Sequence, residues 1–464
     1  MNKKNLLALT EEWVIFAYII KWVTLATIIG AIVGAAIALF LNVLHTGIHE
    51  SSKFPYYFLL LPLALFLNIL ISKYLLPDAQ GHGTEKVIEA VHKQSGYINP
   101  LVVPVKAVST IITIVSGGSV GKEGPSAQIG AGLASIFSNI FRFDKEDRKK
   151  LVICGISAGF SAVFGTPIAG AIFGVEVLVV GNVLYDVLLP SFVAGMISHQ
   201  VATSLGIEYA YFPIQVDMGF NIPIYLEILL AGLFFGAVSF LFIEGMKWAE
   251  KLVKKINVWS PLKGIMGGFL LIGLTLIFST DYLGLGLPTI EKSLTGFHII
   301  WYAFLVKILF TWVTLSFGGS GGIVTPIFFI GATAGIFFSN IVGGNTTFFA
   351  GLGFVSLLAG TANTPIAAII MAMELFGPSI LPYATITCVT CFLFTGHRSA
   401  FPSQKLGINK ASSIMAETGN ELDHDHDTHF KYKTRRRIIT SLNVAKYFRI
   451  YEVFNRKNNN NKNK

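Results

Sequence analysis

The sequence predicts an all-α integral membrane protein made of two inverted helical halves with broken and re-entrant helices, and three observations predict it. Of 464 residues, 53% are hydrophobic and 13% charged, with a mean hydropathy of +0.64, which leaves too little polar surface to cover a soluble globule of this size. Second, Val105 to Ile140 and Val306 to Ile341 are copies of one another. In register, Lys106 falls on Lys307, Thr110 on Thr311, Thr113 on Thr314, Gly117-Gly118-Ser119 on Gly318-Gly319-Ser320, Pro125 on Pro326 and Ser138-Asn139-Ile140 on Ser339-Asn340-Ile341. A further pair follows, Thr166-Pro167-Ile168-Ala169 with Glu176 and Thr364-Pro365-Ile366-Ala367 with Glu374. Third, Gly and Pro interrupt both copies at matching places, the mark of a transporter whose substrate site lies between its halves.

Taken along the chain, Asn2-Lys3-Lys4 before an apolar run has the look of a secretory signal, but the run continues far beyond a signal core without a small-residue cleavage site, and it is read as retained. Trp13 to Val43, Tyr56 to Ile71 and Leu226 to Phe242 are of the order of the roughly 20 residues that cross a bilayer core. Shorter apolar stretches broken by Gly and Pro are tolerated in lipid only where their freed backbone groups are buried in protein or face a wet cavity. The first half spans residues 1–200, with candidate site motifs at 81–84 and 121–125. The second spans 201–407, with a motif at 322–326, after a mixed polar joining segment around Ile207 to Asn221. Residues 408–464 read as a polar, basic cytoplasmic tail.

Equivalent loops carry opposite charge bias. Phe141 to Lys150 holds Arg142, Lys145, Arg148, Lys149 and Lys150, whereas its counterpart Val342 to Thr347 holds no basic residue; Lys247, Lys251, Lys254 and Lys255 face a first-half stretch, Val43 to Pro55, whose only Lys or Arg is Lys53. By the positive-inside rule the members of each pair lie on opposite sides, so the halves are inverted, with the basic members and both termini in the cytoplasm. The net charge of +9 follows from this topology, and no nucleic-acid partner is expected. Cys154, Cys388 and Cys391 all sit in apolar segments; Cys388 and Cys391 have redox-pair spacing, but their surroundings predict buried helix cysteines.

In an inverted repeat the Gly-rich breaks meet near the midplane, and helices starting there aim unpaired N–H groups, carrying about half a positive charge, at the meeting point. Such a point attracts an anion. Gly121-Lys122-Glu123-Gly124-Pro125 and Gly322-Ile323-Val324-Thr325-Pro326 both place Pro early in the following helix, where its missing N–H costs nothing. Gly81-His82-Gly83-Thr84 is a third candidate. Glu123 is the only acid in the first break and faces Val324 in the repeat. A carboxylate at an anion site competes with the ion when charged and opens the site when it swings away or takes a proton; the plainer alternative is a Glu capping its own helix.

These residues carry a family resemblance. Gly121 to Pro125 resembles the Gly-Arg/Lys-Glu-Gly-Pro signature of the CLC chloride channels and transporters, Gly322 to Pro326 resembles their Gly-Ile-Phe-x-Pro motif, Pro77 to Val91 resembles the segment bearing Gly-Ser-Gly-Ile-Pro, and Ala158 to Glu176 resembles the helices that follow. Order and spacing agree over about residues 15 to 405. The resemblance implies a homodimer with a pore in each subunit, an external gating role for Glu123, and anion sites lined by the amides of Lys122, Glu123, Gly124, Ile323, Val324 and Thr325, with His82, Gly83 and Phe401 at the central site.

The chain departs from that pattern at four places. His82 stands where the family has a serine hydroxyl on the central anion, Glu85 replaces the motif's proline, and Phe401 falls roughly where a tyrosine is usual. An imidazole N–H can still donate to an anion, or His82 can be bonded elsewhere near the vestibule. Proton-coupled members carry two adjacent acids where this chain has Glu176 and Val177, and the repeat of Glu176 as Glu374 favours a structural role. The expectation is passive passage of chloride or a similar small anion, with anion/proton exchange as the alternative.

The run His424-Asp425-His426-Asp427-Thr428-His429 could hold a transition metal but reads as a solvated segment. Arg435-Arg436-Arg437 reads as an anchor to anionic membrane lipid. No nucleotide loop, nucleophile elbow or zinc-hydrolase helix is present in the sequence, so neither an enzyme nor a cofactor is expected.

Overall fold

A computed structural model gives the structure of residues 3–79, 81–216, 222–422 and 429–430. Gln80, residues 217–221 of the joining segment, the His/Asp run up to Thr428, Arg435-Arg436-Arg437 and the Asn/Lys end lie outside the described residues.

The first half comprises α1 (Lys3–Ser52), α2 (Leu61–Leu70), α3 (Gly83–Lys93), α4 (Val102–Val115), α5 (Glu123–Ile140), α6 (Lys145–Phe164), α7 (Pro167–Glu176) and α8 (Tyr185–Ser204). The second repeats the series with α9 (Ile222–Lys255), α10 (Ser260–Phe278), α11 (Leu287–Leu294), α12 (Ala303–Ser316), α13 (Val324–Val342), α14 (Thr346–Ala362), α15 (Pro365–Phe376) and α16 (Leu381–Thr395). Local sequence sets the boundaries. Asp144 and Asn345 cap α6 and α14 by accepting from Asp147 N–H at 2.8 Å and Phe348 N–H at 3.0 Å, and Pro begins both α7 and α15.

Six described helical stretches are long and apolar enough to cross a membrane: 11–52, 57–75, 222–255, 260–278, 324–342 and 378–395. α4, α7, α12, α14 and α15 are apolar but shorter, and at 1.5 Å per residue they do not span about 30 Å of hydrocarbon. Their ends therefore have to meet inside protein. Burial sorts the long helices. The apolar window of α13 is 83% buried, that of α10 only 33%, and α10 presents Phe269, Leu276 and Ile277 outward as α1 presents Trp13 and Leu39. The outer helices supply the lipid face while α5, α6, α13 and α14 form the interior.

The two-fold relation is visible in reciprocal contacts. Ser119 N–H donates to Thr314 Oγ1 at 3.1 Å, and Ser320 N–H donates to Thr113 Oγ1 at 3.0 Å. Lys106 and Lys307, both fully buried, each donate to the turn before the third helix of their half: Lys106 to Gly81 O at 2.6 Å, Lys307 to Tyr282 O at 3.0 Å and Gly284 O at 2.9 Å. A buried ammonium is tolerable only with such acceptors.

Glu176 and Glu374 exchange across the halves. Glu176 accepts from Ile366 and Ala367 N–H at 3.0 and 2.8 Å at the start of α15, and Glu374 from Ile168 and Ala169 N–H at 2.9 and 2.8 Å at the start of α7. Each carboxylate satisfies two orphan donors and the positive end of a helix dipole. Truncating Glu176 to Ala strands two N–H groups, each costing about 1–3 kcal/mol. The unfolding midpoint in detergent is expected to drop well below that of Glu291→Ala, which alters an exposed side chain; equal midpoints would show that the cap carries little.

Beyond α16 the chain stays docked. β1 (Val179–Val180) pairs in parallel with β2 (Lys405–Leu406), and β3 (Ile414–Met415) pairs antiparallel with β4 (His429–Phe430). Gln404 Nε2 donates to Val177 O at 2.7 Å and Ala362 O at 2.8 Å, tying one half to the other. Lys410 Nζ reaches Asn363 Oδ1 at 2.6 Å and Phe392 O at 2.9 Å, so the start of the segment read as a tail is part of the folded body. The cysteines are free and buried.

Candidate anion site

The two Gly-rich breaks meet. Gly121 and Gly322 exchange backbone hydrogen bonds, N–H to O at 2.7 Å in both directions, and His82 forms a parallel bridge with Gly321. Contact is close enough to require glycine. A Cβ on Gly322 would lie 2.7 Å from Gly124 N, and one on Gly83 would lie 2.2 Å from Gly124 O, distances no side-chain carbon accepts. Three helices therefore begin at one point, α3 behind its N-cap His82, α5 behind Lys122 and α13 behind Ile323.

Glu123, fully buried at the first position of α5, does not cap its own helix through its side chain alone; it reaches across to the other half. Thr325 N–H donates to Glu123 Oε2 at 3.1 Å, and the Thr325 hydroxyl donates to Oε1. The carboxylate is thus bound by first-turn donors of the opposing helix. An amide and a hydroxyl in the first turn of a helix are donors suited to a negatively charged group.

His82, Gly83, Lys122, Glu123, Gly124, Ile323, Val324 and Thr325 gather at this junction. Phe401 is 1% exposed and buried in the apolar core, while its neighbours Ala400, Pro402 and Ser403 line a cavity of about 670 Å³ that His82, Ser320 and Ile323 also line. His82 Nε2 lies 3.9 Å from Glu250 Oε1, and its buried Nδ1 has no hydrogen-bond partner. Lysines from both halves, Lys86 and Lys93 of α3 and Lys247 and Lys254 of α9, surround the cavity. The residues sequence reasoning passed over are the Thr325 hydroxyl and the buried lysines, and for Lys106 and Lys307 the signal was present in their duplication.

A family model described as voltage gated chloride channel matches residues 63–396. The chain is 36% identical over 414 residues to the "Chloride/fluoride channel protein" of Pseudomonas syringae pv. tomato, covering 88% of this chain and 91% of that one. It is 28% identical over 316 residues to a "Voltage-gated ClC-type chloride channel ClcB" of Escherichia coli, covering 65% of this chain and 74% of the relative. Among solved structures it superposes with a TM-score of 0.79 on a "CLC-type fluoride/proton antiporter", at 29% identity over 83% of this chain and 98% of the other. A slow cyanobacterial Cl-/H+ antiporter shares the fold at a TM-score of 0.71 and 18% identity, over 81% of this chain and 94% of that one.

Proposed function

The chain belongs to the voltage-gated chloride channel family, a family of anion channels and transporters, and from that premise we propose that it passes chloride and fluoride through the junction of α3, α5 and α13 with Glu123 as its gate. The observation that carries this reading is the Glu123 carboxylate seated on the Thr325 amide and hydroxyl. When charged, it occupies the ion's position; once it is protonated or displaced, those donors are released. The pore operates in a cell membrane as one of a homodimeric pair, with the lysine-rimmed cavity as its cytoplasmic mouth by the positive-inside rule.

Passage is passive. Val177 stands beside Glu176, and Glu176 is committed to capping α15, so the end of α7 offers no free proton acceptor. Exchange of anion for protons is the second reading, favoured by the likeness to a fluoride/proton antiporter. Fluoride and chloride electrodes on preloaded liposomes, read together with pH, are expected to show efflux of both ions without uphill proton movement. Uphill protons would move the protein to the second reading, and no flux of either ion would overturn both.

His82 is the expected selector. Exchanging an imidazole donor for a hydroxyl changes a hydrogen bond to an ion, a bond worth about 1.5–3 kcal/mol, so His82→Ser is expected to shift the fluoride-to-chloride ratio by about tenfold. An unchanged ratio would place the His82 side chain off the ion's route.

A further inference from the structure

Glu85 lies one turn beyond His82 on α3 and lines the same cavity. It is a carboxylate sharing that lining with Lys86, Lys93, Lys247 and Lys254 and with Ser320 and Ile323 of the second half. Its Oε1 accepts from Ser403 N–H at 2.9 Å and from the Ser403 hydroxyl at 2.5 Å, whereas Oε2 is buried and has no hydrogen-bond partner. Ser403 belongs to the turn that carries Phe401, itself fixed by Phe401 N–H on Ser399 Oγ at 2.8 Å and by Ser399 Oγ on Gln404 Oε1 at 2.5 Å. One carboxylate oxygen thus latches the Phe401 turn to the start of α3, and the other is left without a donor.

The surrounding charges are committed elsewhere. On α3, Lys86 pairs with Glu89 at 2.8 Å, and Lys93 with Glu421 at 3.1 Å. From α4, Lys106 donates to Gly81 O. From α9, Glu250 faces His82 at 3.9 Å and Lys254 at 4.0 Å, and Lys247 pairs with Glu244 at 3.5 Å. From α10, Lys263 donates to Val253 O at 2.9 Å, and on the Phe401 turn Arg398 pairs with Glu244 at 3.0 Å. No cation lies within 4 Å of Glu85 among the described residues. An ionised carboxylate held this way bears the cost of a buried acceptor without a donor and of a charge without a counter-ion, and taking a proton relieves both.

We propose that Glu85 is a second, inner gate residue, protonated from the cavity side, whose ionised form latches the Phe401 turn and repels an entering anion and whose neutral form admits it. The proton comes from water in the cavity and returns there on closing. Glu85 is a positioning residue in this scheme, acting through the Phe401 turn and through its charge. The proposal rests on the reading of the junction as an anion pathway and adds a pH response on the side opposite Glu123.

The test is anion efflux from liposomes with the pH of the two faces set independently and the orientation fixed by a membrane-impermeant inhibitor or one-sided labelling. Wild-type flux is expected to rise as pH on the cavity side falls, and Glu85→Gln to be fast and flat on that side while keeping its response to pH on the other. Ser403→Ala, which removes the hydroxyl but leaves the amide donor, is expected to raise flux and keep a cavity-side response. A Glu85→Gln protein with the wild-type cavity-side profile overturns the proposal while leaving the pathway intact. Absence of flux in wild type itself overturns both.

Discussion

Glu123→Gln is expected to abolish the response of anion flux to pH on the outer face and to hold flux near the level wild type reaches in acid. The argument runs from the seat of the carboxylate. Glu123 is fully buried and bound by the amide and hydroxyl of Thr325, and under the proposed function these bonds to the charged carboxylate, each worth about 1.5–3 kcal/mol, would hold the gate closed. A one-proton gate loses its open population about tenfold for each pH unit above its titration. Glutamine keeps the volume and one acceptor oxygen but carries no charge, so it competes poorly with an anion at every pH. Over two units of pH the difference between the two proteins approaches about a hundredfold. Thr325→Val makes an independent check, since it deletes the hydroxyl and leaves the amide; its flux at neutral pH is expected to rise by about tenfold. Wild-type pH dependence in Glu123→Gln would remove Glu123 from the gate.

Much of this arrangement was legible in the chain because the duplication is literal. Lys106 with Lys307, Thr113 with Thr314 and the paired glycines could be aligned by eye, and matched breaks in an apolar chain leave few ways to satisfy the freed backbone except against each other. The meeting of α5 and α13 at Gly121 and Gly322 follows from that need. Less legible was which partner each repeated group would take. Glu176 and Glu374 stood out as a repeated pair, but a carboxylate at the end of one helix can cap any helix start that tertiary packing brings to it, and only the fold shows that each caps the other half. The Glu85 bond to Ser403 was hidden for the same reason, since it joins residues 318 positions apart. Residues 408–422 read as tail because their composition is polar; their docking comes from contacts such as Lys410 reaching Asn363 Oδ1 and Phe392 O at helix ends, which composition does not reveal.

Gly130→Val is expected to have the largest effect on the folded state, with loss of monodisperse protein. Where α5 crosses α6, a Cβ on Gly130 would lie 2.2 Å from Gly155 O, and one on Gly155 would lie 2.4 Å from Gly130 O; where α13 crosses α14, Gly331 and Gly353 repeat the arrangement at 2.3 and 2.2 Å. The obstacle in each case is backbone inside a helix, which has no rotamer to change. Inserting even one carbon must move a whole helix, and in a close-packed interior overpacking costs about 1–3 kcal/mol when side chains can adjust and more when they cannot. The movement also reaches the site, since α5 starts at Glu123 and its contact with α13 depends on atoms that touch at Gly124 and Gly322. Gly130→Ala should therefore lower the unfolding midpoint and reduce flux together. Gly273→Ala, where a Cβ would meet nothing within 4 Å, should leave both unchanged or raise the midpoint slightly through helix propensity. Size-exclusion profiles and unfolding midpoints of the three variants decide the matter. A monodisperse, wild-type-like Gly130→Val would mean that α5 and α6 do not cross at contact distance and that the seat of Glu123 is not fixed by glycine packing.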